Sequence, residues 1–359
     1  MPPIEPLQTT DRLTFSTEEL LADMPVSAPL IAGEVLCHGG FDQEGHYCSP
    51  RTLHRNPAVA NWQRQLTRAG HSLIEISPSL IPPQCPSFEQ AKLMIKAGVR
   101  DPIVRSLTVI SILEGFGAVI RDVRVPSLGH HFLENIDGTA LAHLELGLFE
   151  AHARDEAGYK DQGGHKQMWE AARDLALEKP KIPPDVFLRL MGDRGQQRPS
   201  EPLFPQLDKS VYRMLATMAQ VLAVEVFATR TFDWGVQVLS DPEISAEPVR
   251  AADMVRYIRS DENPHVEYLR TALSEARALT LRTVDGKTLA GATVVDGLLH
   301  QVLSRMTTAR PREQHEDTRK GLERAIESSK ARRSLLEEFD QLQPVWTPPA
   351  RTGFEAAAA

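Results

Sequence analysis

The sequence predicts an all-α protein: four long core helices, a loop-rich collar before them and extra helices after them. Three observations carry that expectation. From Asp101 onward, apolar residues recur at helical spacing over stretches too long for strands. Two of those stretches, SLTVISILEGFGAVI and MLATMAQVLAVEVFA, each hold a single carboxylate, Glu114 and Glu225. Two short downstream segments also look like copies of one another, DEAGY at 155–159 and DENPH at 261–265. Glu156 follows Glu114 by 42 residues, and Glu262 follows Glu225 by 37.

The elements follow in order. Residues 1–100 are crowded with proline, which prevents long helices, so this region reads as a collar packed on a helical core. Short helices are expected over Asn56–Ala69, with Pro57 early in it, and over Ser87–Ala97; Gly39–His46 reads as a turn or loop. Asp101-Pro102 is an N-cap followed by Pro at the first helical position, and opens a helix running to about Arg121. A second helix is expected from Asp137 through Tyr159, broken by Gly163-Gly164 before a further stretch, His165–Glu178. Residues 179–206 read as a long proline-rich loop. The third core helix covers Asp208–Val238, and the fourth covers Val249–Leu279 with Pro264 inside it. Thr280–Thr288 reads as a turn or short hairpin, followed by amphipathic helices over Leu289–Thr308 and Arg312–Leu342. The resulting division is a collar (1–100), a metal-binding core (101–280), a C-terminal helical extension (281–343) and a disordered tail (344–359).

Bulk properties narrow the function classes. The chain has 359 residues, 40 basic against 48 acidic, a net charge of −8. That balance argues against a general nucleic-acid or anionic-membrane binder. Aromatic residues are only 6% of the chain, so base-stacking platforms are not expected. Three cysteines, Cys37, Cys48 and Cys85, without a CxxC pair or a signal peptide, point to a reducing cytoplasm. No run of about 18 uncharged apolar residues occurs, so no membrane span is expected. The chain has no phosphate-binding glycine loop and no GxSxG.

The chemistry is expected among the carboxylates. Glu114 and Glu225 sit in apolar helices, where a lone charge is costly unless a partner or a metal neutralises it. The plainer reading puts each on a narrow polar stripe, with Arg121 a natural partner for Glu114. On the second helix, steps of 100° per residue bring Glu145, His152 and Glu156 within about 40° of one another. Tyr159 lies one turn beyond Glu156, while His143 and Glu150 point away. Glu145 reads as an outer or surface residue. On the fourth helix Glu262 and His265 are three apart and can reach one ion; Pro264 between them should distort the helix.

These residues resemble the ligand set of the ferritin-like diiron carboxylate superfamily over about residues 101–280. That family places one Glu on each of two helices and Glu-x-x-His on each of the other two. Glu114, Glu156, Glu225, Glu262 and His265 fall in the expected order; Tyr159 stands where a histidine should be. Tyr159 could bind as phenolate, His152 or His165 could supply the missing imidazole, or one metal position could be weak. Imidazole is the ordinary nitrogen ligand at neutral pH, which favours His152, whereas His165 needs a bend at Gly163-Gly164 to arrive.

The resemblance implies a ferritin-like four-helix bundle holding two iron ions, or a manganese and an iron. It also implies an oxygenase or oxidase acting on a small organic substrate with O2, served by an external electron donor. The C-terminal helices would cap the bundle or form a homodimer contact. Two other readings stay open. One is a helical scaffold or binding protein with a degenerate or single-metal site. The other is a metal site on the N-terminal loops from His38, His46 and His54, whose spacing of eight follows neither helix nor strand.

Overall fold

The structure is a computed structural model that describes residues 11–184, 186 and 201–347. It is mostly helical. The expected tail beyond 347 and most of the expected 179–206 loop lie outside the described residues.

The N-terminal region carries more order than its prolines suggest. Helices α1 (Thr17–Leu20), α2 (Arg55–Arg68) and α3 (Phe88–Lys96) are joined by a three-stranded antiparallel sheet. Its strands are β1 (Ala28–Ala32), β2 (Val35–Phe41) and β3 (Tyr47–Cys48). Gly39 and Gly40, read from sequence as turn residues, lie inside β2. A Cβ on Gly39 would sit 2.6 Å from the Tyr47 hydroxyl, and one on Gly40 would sit 2.5 Å from the Ala28 carbonyl. These glycines let neighbouring strands approach closely rather than reverse the chain.

The helical body begins with α4 (Asp101–Gly117), which has Pro102 in its first turn. The long helix expected over 137–159 is not continuous. A 3-10 turn (Leu141–His143) leads to a wider π turn (Leu144–Leu148) containing non-helical Gly147, and only then does α5 (Phe149–Ala157) begin. A Cβ on Gly147 would lie 2.9 Å from Leu20 Cβ. The turn therefore follows from packing against α1, which a local helical period cannot show.

The chain then reverses through Gly158, Gly163 and Gly164 into α6 (His165–Leu177). Gly158 has φ +84, and a Cβ on Gly164 would lie 2.3 Å from the Asp155 carbonyl. This tight return exists because no side chain is there to block it. Two 31-residue helices follow, α7 (Lys209–Leu239), capped by Asp208, and α8 (Pro248–Ala278), which runs through Pro264. A two-stranded hairpin, β4 (Thr280–Arg282) and β5 (Thr288–Ala290), leads to α9 (Gly291–Ala325) and α10 (Arg332–Gln341). The break expected between 308 and 312 does not occur: α9 continues through Pro311.

Helix α7 packs along α8, α6 packs against both α4 and α8, and α9 lies on α7 and α8. Among the described residues the apolar core has two large parts and a small third one around Ala223 and Leu303. One large part includes Leu148, Leu222 and Leu269; the other includes Ile110, Trp169, Phe232 and Ile258. On α7 and α8 these residues stand on either side of Glu225 and of Glu262 with His265, so a polar layer is held between two apolar ones. By length and hydropathy alone, Asp101–Asp122 and Lys209–Leu239 could cross a membrane, with mean hydropathies of 1.8 and 1.4. About half of each apolar stretch is buried in this core instead.

Candidate metal centre

Five helices meet in the polar layer. Glu114 comes from α4, His152 and Glu156 from α5, His165 from α6, Glu225 from α7, and Glu262 and His265 from α8. Their ligand atoms form two groups, each with all atoms within 4.8 Å of one another. The first group is Glu114, Glu156, His165 and Glu262; the second is His152, Glu156, Glu225 and His265. Atoms bound at about 2.1 Å to one ion lie within about 4.2 Å of each other, so each group is a few tenths of an ångström from closing on an ion.

Glu156 belongs to both groups. Its Oε1 lies 3.3 Å from His265 Nδ1, 3.4 Å from His165 Nδ1 and 3.8 Å from His152 Nε2. Glu262 also faces both ways, with Oε1 3.0 Å from His165 Nδ1 and Oε2 2.8 Å from His265 Nδ1. Two carboxylates thus stand in bridging positions. Gly117, one turn beyond Glu114, leaves the room: a Cβ there would lie 2.5 Å from Glu156 Cγ.

Each imidazole is held from behind. His265 Nε2 lies 2.9 Å from Asp155 Oδ2, and His152 Nδ1 lies 3.1 Å from the Tyr268 hydroxyl. His165 Nε2 faces Asp261 Oδ2 at 3.4 Å, and that carboxylate accepts a 2.8 Å hydrogen bond from Tyr47. Partners of this kind fix ring orientation and tautomer in metal sites. Both aspartates precede a ligand glutamate, so each Asp-Glu doublet gives one carboxylate to the centre. The other braces a histidine on a different helix.

Asp155 is further held by Arg51, through Nε at 2.8 Å and a second contact from Nη2, and by Arg55 at 3.0 Å. All three side chains are buried. Arg51 adopts a left-handed backbone, φ 52, and its N–H donates to Asp23 at 2.8 Å.

Charges explain the titration behaviour. Burial, resisted by His165, raises Glu114 above the ordinary carboxylate range and Glu156 well above it. Burial and the neighbouring Glu225 raise Glu262 well above that range. Burial alone would lower His165, but Glu262 and Glu156 overcome it and raise the imidazole well above its usual value. A proton on His165 there offsets carboxylate charge, as a cation would. Burial and the adjacent His152 ring hold His265 down to about 3, in the neutral form that ligates. Burial would also raise Asp155, but Arg51 and Arg55 hold it well below the usual range.

Two features fit a metal. His152 Nε2 and His165 Nδ1 are buried and face only carboxylate oxygens, at 3.0–3.8 Å, without a well-aligned hydrogen bond, a costly state for a neutral imidazole unless something else takes the lone pair. The charges also match. With bound cations holding all four glutamates, Asp155 and Asp261 ionised and His165 neutral, six negative charges would stand against the two positive ones of Arg51 and Arg55. The remainder equals the charge of two divalent cations.

Of the residues singled out from sequence, Glu114, His152, Glu156, Glu225, Glu262 and His265 are brought together, and His165 joins them. Tyr159 does not continue the helix of Glu156, contrary to the expectation from sequence. Helix α5 ends at Ala157, and Gly158 turns the chain away. The Tyr159 backbone pairs with Gln162, and its ring lies on the Arg154 guanidinium at 3.7 Å. Glu145 is exposed, because the π turn breaks the helical register that had aligned it with Glu156. Arg121 faces Glu150 rather than Glu114. The N-terminal histidines do not converge. His38 is buried against Arg51, His46 is exposed beside Asp42, and His54 precedes α2 without a side-chain capping bond. Arg51, Arg55, Asp155, Asp261 and Tyr268 were not read from sequence. The repeated Asp-Glu doublet was the one local sign for the two aspartates.

The chain matches no protein-family model, no curated protein and no solved structure.

Proposed function

We propose that the chain is a non-haem dimetal oxygenase or oxidase of ferritin-like type, most simply diiron, acting on a small organic substrate with O2. The observation that supports this best is the pair of buried Glu/His groups sharing Glu156, with each histidine braced from outside. The shared Glu156 keeps the two groups adjacent, as a carboxylate-bridged pair of ions would need. Bound iron would supply the electrons that reduce O2.

The chain's own residues have separate tasks in this reading. Glu156 and Glu262 hold the two positions together. His152, His165 and His265 present neutral nitrogens, oriented by Tyr268, Asp261 and Asp155. The apolar layers on either side keep bulk water away, which strengthens the electrostatics of the site. Glu114 is the most exposed of the seven ligands, its side chain 12% accessible. A half-open groove of about 520 Å³, lined by Ile74, Ile76, Leu222, Val226, Val266 and Arg270, flanks the Glu225 and His265 segments. Glu75, Ser77 and Arg270 add polar groups to that lining. Repeated turnover would need an external electron donor.

The test is anaerobic loading of metal-free protein with Fe(II), followed by O2 uptake. About two irons bound per chain and O2 consumption abolished by Glu225→Ala are expected. One ion per chain would leave a single-metal protein, and no binding would sink the reading.

A further inference from the structure

We propose that the two positions are chemically unequal and sort metals by kind. The position of His152, Glu225 and His265 takes a nitrogen-preferring ion, and the position of Glu114 and His165 takes an oxygen-preferring one. This rests on the dimetal reading above and adds to it which ion each position selects.

The inequality begins with the donors. Glu156 and Glu262 face both positions and do not distinguish them. What remains is Glu114 and His165 on one side, and Glu225 with two imidazoles on the other. The second position therefore has twice the nitrogen donors. Imidazole favours Fe(II), Co(II) and Zn(II), whereas Mn(II) is better served by carboxylate oxygen and gains least from nitrogen.

The surroundings push the same way. Behind His265, Asp155 meets Arg51 and Arg55, so that side carries a net positive charge. Behind His165, Asp261 meets the neutral hydroxyl of Tyr47 rather than a guanidinium, so once His165 is neutral its negative charge stands toward the Glu114 side. Electrostatics alone would draw any cation to the Glu114 side. Nitrogen coordination draws selected cations to the other. An ion that gains little from nitrogen follows the charge, and one that gains much follows the histidines.

The test gives metal-free protein one equivalent each of Co(II) and Mn(II) under anaerobic conditions. Co(II) is read by visible absorption and Mn(II) by the loss of its free six-line EPR signal. Wild type should bind both. His152→Gln should weaken Co(II) at least tenfold and leave Mn(II) bound. Glu114→Gln should release Mn(II) and keep the Co(II) band. Glu225→Gln and His165→Gln repeat the comparison at independent ligands, and far-UV circular dichroism checks the fold of each. Variants at either position weakening both ions alike would overturn the sorting while leaving a dimetal protein. Failure of wild type to bind either ion would overturn both readings.

Discussion

Asp155 Oδ2 lies 2.9 Å from His265 Nε2, across 110 residues of sequence. The contact joins the two Asp-Glu doublets, because Asp155 precedes Glu156 and His265 follows Glu262 by three. Asp155→Asn would leave Arg51 and Arg55 buried without their counter-charge. Breaking a buried pair costs about 3–5 kcal/mol, and losing a ligand's outer partner weakens metal about 10–100-fold. Denaturant unfolding and metal titration should show both losses. A stable variant with unchanged affinity would show that Asp155 only fills space.

Gly117→Ala tests the room left for Glu156. Replacing a helical glycine normally stabilises by about 0.5–1 kcal/mol. Here the added carbon would stand 2.5 Å from Glu156 Cγ and displace the carboxylate shared by both groups. The metal-free protein should melt near the wild-type temperature, while the rise on adding metal should shrink. A full metal-dependent rise would mean that Glu156 does not bridge.

Tyr159→Phe should leave metal content and visible absorption unchanged, because its ring is engaged by Arg154. His165→Ala, in contrast, should lose metal. Bleaching of a visible band in the tyrosine variant would restore the phenolate.

Glu275 gives a pH dependence away from the centre. Its two oxygens accept hydrogen bonds from the backbone N–H groups of Ala140 and Leu141, each at 3.0 Å. Burial nevertheless raises it from 4.5 to about 7. The folded state then holds this proton more tightly than the unfolded one. Its contribution is fully present below pH 4.5 and is lost as pH rises to about 7. Glu275→Gln should flatten that part of the stability profile relative to wild type. Parallel profiles for the two proteins would assign the slope to other groups.

The helical body was legible wherever the signal was local. Asp101-Pro102 and Asp208 mark helix starts, and the apolar runs around Glu114 and Glu225 gave their helices. His152 followed from its place on the Glu156 face. His165 was harder, because no helical register joins it to Glu156. Only the glycine return at 158–164 brings it back, and the path of that return is set by close backbone contacts. The π turn before α5 depends on Leu20, over a hundred residues earlier, and so left no periodic trace. Arg51 and Arg55 looked like ordinary basic residues of a collar; their burial against Asp155 is purely tertiary.

The first hundred residues and the Glu/His cluster therefore cannot be exchanged as separate modules. A chain beginning at residue 101 would keep all seven ligands and both Asp-Glu doublets. It would take both guanidiniums from Asp155 and leave a carboxylate without counter-charge beside His265. Such a shortened protein would not be a smaller copy of the same centre. The homologous segment of another protein would have to bring two arginines to this one carboxylate before it could take the collar's place.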